Sequence, residues 1–156
     1  MTSTLNIDLD LMIPEEVHVM SGEVKVRYTK FPTTVFDAPF LSHGIEKYRA
    51  ENNQIQSQIV DLHAQQNSIR KVSQMSPSGF VFHVSRCGST LLSQMLSVLP
   101  KNLVISEPEA ISYYLYYCLE EKIAFNPNEF RLLLNSYGQA FTGQESSFFI
   151  KFTSWN

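Results

Sequence analysis

Between residues 16 and 30 the chain alternates, with Val17 and Val19, then Val24, Val26 and Tyr28, separated by polar positions. A period of two marks half-buried strands, and Ser21-Gly22 between the runs is a turn signal, so the pattern predicts a β-hairpin. The two prolines of FPTTVFDAPF (31–40) predict an irregular connector. From Ser42 to about Ser73 the chain becomes polar and rich in Gln and Asn. Ile55, Ile59 and Leu62 stand at helical spacing there, with Ile69 further along, which predicts one or two amphipathic helices acting as a cover or linker. SPSG (76–79) then marks a boundary.

The second half is better organised. FVFHV (80–84) is a continuous apolar run of strand length, which predicts a central parallel strand buried on both faces. A helix over 89–99 follows, with Leu91, Leu92, Met95, Leu96 and Leu99 as its buried stripe and Pro100 as its stop. NLVIS (102–106) reads as the second strand. PEAISYYLYYCLEE (108–121) reads as a helix with Pro and Glu in its first turn and Ile111, Leu115, Cys118 and Leu119 inward. In NPNEFRLLLNSYGQAF, Asn126 is the expected N-cap, Pro127 the first helical residue and Glu129 the partner in a capping box. Its stripe is Phe130, Leu133, Leu134, Tyr137 and Phe141, and SFFIKFTS (147–154) supplies a third strand. Strand, helix, strand, helices, strand predicts an α/β layer on a largely parallel sheet. The division expected is an extension over 1–76, hairpin then helical segment, and an α/β part over 77–156.

Composition narrows the function. With 156 residues, 44% hydrophobic and 17% charged, the chain is globular. A net charge of −3 and the lack of any basic run beyond Arg70-Lys71 argue against nucleic-acid binding, so an anion site must be a local device. No apolar stretch reaches the roughly 18 residues of a membrane span, and no leader-like run follows Met1. Cys87 and Cys118 lack metal-ligand spacing and read as free thiols, which places the chain by default in the cytoplasm.

The chemistry concentrates in SRCGST (85–90), the turn between the first strand of the α/β part and its helix. Ligands of such sheets sit beyond the carboxyl ends of the strands. Consecutive amides in a tight loop form an anion nest, and the helix N-terminus adds partial positive charge. Gly88 permits close backbone approach, Ser89 and Thr90 offer hydroxyls, and Arg86 offers a planar fork suited to oxyanions. An ordinary βα turn with Ser89 as N-cap is the bland alternative. A Walker loop is excluded, because Ser89 stands where its lysine belongs and His83 where its first glycine belongs. The dinucleotide fingerprint is absent as well. A thiolate at Cys87 would be favoured by Arg86 and the helix N-terminus, but the order Arg-Cys-Gly reverses that of phosphatase loops.

VSRCGSTLLSQMLSVLP (84–100) resembles the phosphosulfate-binding loop and first helix of sulfotransferases, closest to protein-tyrosine sulfotransferases and related bacterial family members. SEPE (106–109) adds to the likeness, since Glu107 lies seven residues past Pro100, as the catalytic glutamate does in the tyrosine-directed enzymes. The resemblance covers roughly 79–156 and is specific in 84–108. It implies sulfuryl transfer from 3′-phosphoadenosine-5′-phosphosulfate (PAPS) to an acceptor hydroxyl, without a metal. Arg86, Cys87, Gly88, Ser89 and Thr90 would hold the 5′-phosphosulfate, with Cys87 giving only its amide. Arg86 would neutralise the departing phosphate and Glu107 would take the acceptor's proton. Glu107 as a helix-N-terminal carboxylate is the competing reading.

The resemblance allows His83 as a base, but a packing histidine is favoured. Lys151 either points toward the site or, as strand lysines usually do, lies at an edge or surface. Tyr113, Tyr114, Tyr116 and Tyr117 read as helix packing more than acceptor pocket. His18, His43 and His63 have no visible partner. The Arg and Ser that hold the 3′-phosphate in the family have no counterpart, and the chain stops at IKFTSWN after a strand that should feed another crossover. The expectation is therefore the N-terminal half of such a domain, inactive alone and prone to self-association through an open edge at 149–153. Two alternatives remain: a nucleotide- or phosphate-binding module without turnover, and a P-loop kinase relative with a degenerate loop.

Overall fold

The computed structural model describes residues 8–20, 22–120 and 123–154. It is a mixed α/β fold with two three-stranded sheets. The hairpin forms where alternation predicts it, as β1 (Met12–Met20) and β2 (Glu23–Lys30), antiparallel and with Met20 opposite Glu23. Gly22 has φ +81°, which the two-residue turn requires and glycine adopts at no steric penalty. Its neighbour Ser21 lies outside the described residues. Pro14 sits at an irregularity of β1, an edge strand, where its missing N–H does no harm.

The connector contains a 3-10 turn over Thr33–Asp37, and helix α1 follows as Leu41–Glu51. The next stretch corrects the helical reading. Ser57–Asp61 is a strand, β3, antiparallel to β2, and only Gln66–Val72 is helical (α2). Val60 and Leu62 are buried while Ile59 is exposed, an alternation of period two that the spacing of Ile55 and Ile59 disguised.

The second sheet is parallel, in the order β4 (Gly79–Val81), β6 (Ser147–Lys151), β5 (Asn102–Ser106). This order overturns two expectations. The central strand is β6, with Phe148 and Ile150 fully buried, whereas β4 lies at an edge with Phe80 and Phe82 exposed. The edges of this sheet therefore belong to β4 and β5, not to residues 149–153.

Helix α3 (Ser89–Ser97) corrects a third. Ser89 and Ser93 are its buried residues, and Leu91, Leu92, Met95 and Leu99 are exposed. It packs its small polar side on β5. Helix α4 (Glu109–Leu119) buries Ala110, Ile111 and Tyr114 and leaves Leu119 exposed. Helix α5 (Pro127–Ser136) begins as its sequence predicts, with the Asn126 side chain accepting from the Asn128 amide. Glu129 does not close a capping box. Its carboxylate takes bonds from His63 Nε2 at 2.6 Å and the Tyr114 hydroxyl at 3.0 Å.

The described residues up to 76 share one core with the rest. Val26, Tyr28 and Leu62 belong to the same buried cluster as Ile105, Ile111, Leu133 and Phe148. Polar bonds lock the two sides: Tyr137 Oη donates to the Pro14 carbonyl at 2.6 Å, and Tyr28 Oη meets Ser136 Oγ at 2.8 Å. Every one of these groups is buried, so each bond also removes a desolvation penalty.

Candidate functional site

Register builds the site. Val81, Lys151 and Ser106 stand side by side at the carboxyl ends of the three parallel strands. The segments leaving those ends therefore emerge on one side of the sheet: His83 and the 85–90 loop after β4, and Glu107 after β5. This is where open α/β sheets carry their ligands.

The loop has the backbone expected of an anion cradle. Arg86 has φ +61° and Gly88 φ +86°. Left-handed residues at alternate positions turn successive amides toward one side. A Cβ built on Gly88 would meet nothing within 4 Å, so glycine serves the backbone angle here and not a crowded contact. Gly88 is the N-cap of α3, with no side chain capping the first turn. The first helical bond is made by the Leu92 amide to the Gly88 carbonyl at 3.1 Å. The amides of Ser89, Thr90 and Leu91 therefore precede the ladder, and no capping side chain satisfies them. Arg86, Cys87 and Gly88 are exposed, and Arg86 has no ion-pair partner among the described residues.

The cation that the loop lacks comes from the central strand. Lys151 is 1% exposed, and its ammonium pairs with Glu107 Oε1 and lies 3.5 Å from Thr90 Oγ1. The ring of Phe40, just ahead of α1, lies 4.8 Å from the same nitrogen, which adds a cation–π contact. Lys151 is thus a buried, multiply held charge and not the surface residue its strand position suggested. The sequence signal was slight: a lysine closing the apolar run SFFIK at the carboxyl end of a strand.

Glu107 is turned toward this group. Its φ of +54° is left-handed, a strained state for a residue with a side chain, and its amide donates to the Lys151 carbonyl at 2.7 Å. No side chain caps α4, so the carboxylate is committed to Lys151 and not to the helix amides. Glu109 occupies the first turn. His83 completes the set, with its side chain 8% exposed and Nε2 3.5 Å from Glu107 Oε1. Its Nδ1 is bonded to the Val84 carbonyl at 3.2 Å, while Nε2 is buried without a hydrogen-bond partner. Glu107 Oε1 thus faces both Lys151 and His83, and no partner for Oε2 occurs among the described residues.

The expected residues are not all equivalent. Thr90 points its hydroxyl at Lys151, whereas Ser89 is buried on the face it shares with Ser93. Cys87 is an exposed free thiol and Cys118 a half-buried one, whose ionisation burial pushes upward. The tyrosines of α4 divide, Tyr114 packing in the core and Tyr113 and Tyr116 exposed. His63 finds Glu129, far along the chain. Ser112 Oγ and Thr153 Oγ1, 3.1 Å apart, bring two further hydroxyls together on α4 and just past β6. Among the described residues, no three His, Cys, Asp or Glu side chains gather as a metal-binding group, and no helix is long and apolar enough to cross a membrane.

Comparison with family models, with curated proteins and with solved structures found no match for this chain.

Proposed function

We propose that residues 86–90 bind the phosphosulfate end of PAPS and that the chain carries the donor side of a sulfotransferase acting on an acceptor hydroxyl. The observation that carries this reading is Lys151, a fully buried ammonium held between Thr90 at the loop and Glu107 at the neighbouring strand end. The donor set suits a multiply charged oxyanion: amides ahead of the first bond of α3, the fork of Arg86, the Thr90 hydroxyl and the Lys151 ammonium. Among the described residues, no acidic side chain has to be displaced from Arg86 for such a ligand to bind.

The co-substrate supplies the activated sulfuryl group, and this chain's residues hold and polarise it. Arg86 and the loop amides fix the phosphate, and Lys151 offers positive charge where the departing oxygen gains negative charge. In this reading Glu107 Oε2 accepts the proton of the attacking hydroxyl while Oε1 stays with Lys151, as the ion pair between them supports. His83 and Lys151 fix the orientation of that carboxylate. The free thiols Cys87 and Cys118 accord with a reducing, cytoplasmic setting.

Calorimetry with 3′-phosphoadenosine-5′-phosphate, the desulfated product, tests the binding. Arg86→Ala should weaken it by about 1.5–3 kcal/mol, the range for charged hydrogen bonds. Unchanged affinity removes Arg86 from the site. For the proton transfer, Glu107→Gln should lower turnover roughly 10²–10⁴-fold with affinity little changed. Stoichiometric binding with no acceptor sulfation favours the module without turnover, and magnesium-dependent ATP hydrolysis favours the kinase-like alternative.

A further inference from the structure

We propose that the groove between α2 and α5 is a second, independent anion site, which binds a phosphate-bearing small molecule through Arg70 and Arg131. Of the five arginines in the chain, Arg27 pairs with Glu16 at 3.2 Å and Arg49 with Glu15 at 2.6 Å. Arg86 stands in the 85–90 loop. Arg70 and Arg131 have no ion-pair partner among the described residues, and both line this one groove.

Helices α2 and α5 pack against each other, and each contributes one of the two arginines to the groove's lining. Glu129, on the same helix as Arg131, is engaged elsewhere, with His63 on one oxygen and Tyr114 on the other. The remaining walls favour an anion as well. Asn128, Asn135, Gln66 and Ser73 line the groove with amide and hydroxyl donors. Its volume of about 440 Å³ is that of a small-molecule site. The protein as a whole is negative, with a net charge of −3, so this positive spot is a local concentration and not part of a basic surface.

The floor is built and not frayed. The amides of Gln74 and Met75 both donate to the Gly138 carbonyl at 2.8 Å, which fixes the chain leaving α2 against the end of α5. Arg70 and Arg131 are both solvent-exposed, so the cleft offers two accessible guanidiniums to a ligand that can take two forks at once. A phosphate monoester or a diphosphate has the oxygens to do so. None of these residues belongs to the 86–90 loop, so the groove stands apart from the sulfotransferase reading.

Titrating the full chain with inorganic pyrophosphate, followed by amide and arginine side-chain NMR, tests it. Arg70, Asn128, Arg131 and Asn135 should shift together along one saturating curve. Arg131→Gln and Arg70→Gln should each weaken that curve tenfold or more, and the double variant should abolish it. Arg86→Ala should leave it unchanged, so a failed loop assignment cannot imitate a failed groove. Two results overturn the proposal: shifts confined to residues 86–90, and affinity retained in the double variant. A tighter response to citrate than to pyrophosphate overturns the phosphate assignment.

Discussion

The ammonium of Lys151 lies 3.5 Å from the hydroxyl of Thr90, across 61 residues of sequence, and pairs on its other side with Glu107. One charge from the central strand thus joins the loop after β4 to the strand end of β5. The arrangement predicts strong coupling. Lys151→Met should destabilise the fold by about 2–4 kcal/mol, slightly below the usual range for splitting a buried pair, because Glu107 remains partly solvated. Glu107→Gln should cost at least as much, since it strands the more buried partner. The double variant should be less destabilised than the sum of the two, by about 1 kcal/mol or more. Chemical denaturation of the four proteins measures the cycle, and strictly additive losses refute the coupling.

The loop and Glu107 were legible in the sequence because their motif is contiguous: a strand, a glycine turn and a helix, then a fixed spacing to the next strand end. The hairpin was legible for a related reason, since Val17, Val19, Val24 and Val26 alternate without ambiguity. β3 was not. Ile55, Ile59 and Leu62 fit a helical face equally well, and pairing with β2 decided between the periods. In α3 the apolar face was visible but its neighbour was not. Periodicity shows that a helix has two sides, and here the small side, Ser89 and Ser93, meets the sheet. Lys151 was misjudged because its burial depends on strand order, and a sequence running β4, β5, β6 does not announce that β6 lies in the middle.

Glycines separate crowding from backbone angle. A Cβ on Gly138 would stand 2.0 Å from the Met75 carbonyl oxygen, and its own carbonyl already anchors Gln74 and Met75. Backbone must move to admit it, so Gly138→Ala should destabilise by several kcal/mol or prevent folding. Gly88→Ala meets open space and bears only the left-handed penalty, about 1–2 kcal/mol. Thermal melts of the two variants should rank them in that order, and the reverse order would discredit the close packing around Gly138.

Alkaline titration reads the core. Burial pushes the phenols of Tyr28, Tyr137 and Tyr114 well above the usual tyrosine value of about 10. A raised folded value means that the fold favours the neutral phenol. Its contribution is whole below the unfolded value and is lost as pH rises through the folded one. These three of the seven tyrosines should therefore ionise only as the chain unfolds, with their ultraviolet absorbance change tracking the loss of circular dichroism. Tyr28→Phe should remove one ionisation from that phase and cost about 0.5–1.5 kcal/mol for its bond to Ser136. Full ionisation of all seven tyrosines with the dichroism intact contradicts the packing.

The surface beside β4 should drive self-association. Phe82 is 73% exposed and Val84 72%, next to a strand whose outer edge is unpaired among the described residues. On α3, Met95 is 63% exposed, and Val98 just past its end is 77% exposed. An unpaired edge flanked by apolar side chains is a template for strand pairing with another chain. The 156-residue chain should accordingly associate with itself as its concentration rises. Phe82→Ser combined with Met95→Gln should suppress this while leaving the melting temperature nearly unchanged, because solvent-facing substitutions usually shift stability by no more than about 0.5 kcal/mol. Phe82 does stack on Phe152 with centroids 4.8 Å apart, so the larger share of any small loss should come from that position. Sedimentation velocity over a concentration series separates the outcomes. A wild-type chain that stays monomeric throughout shows that the twist and shortness of the three-residue β4 already protect the edge.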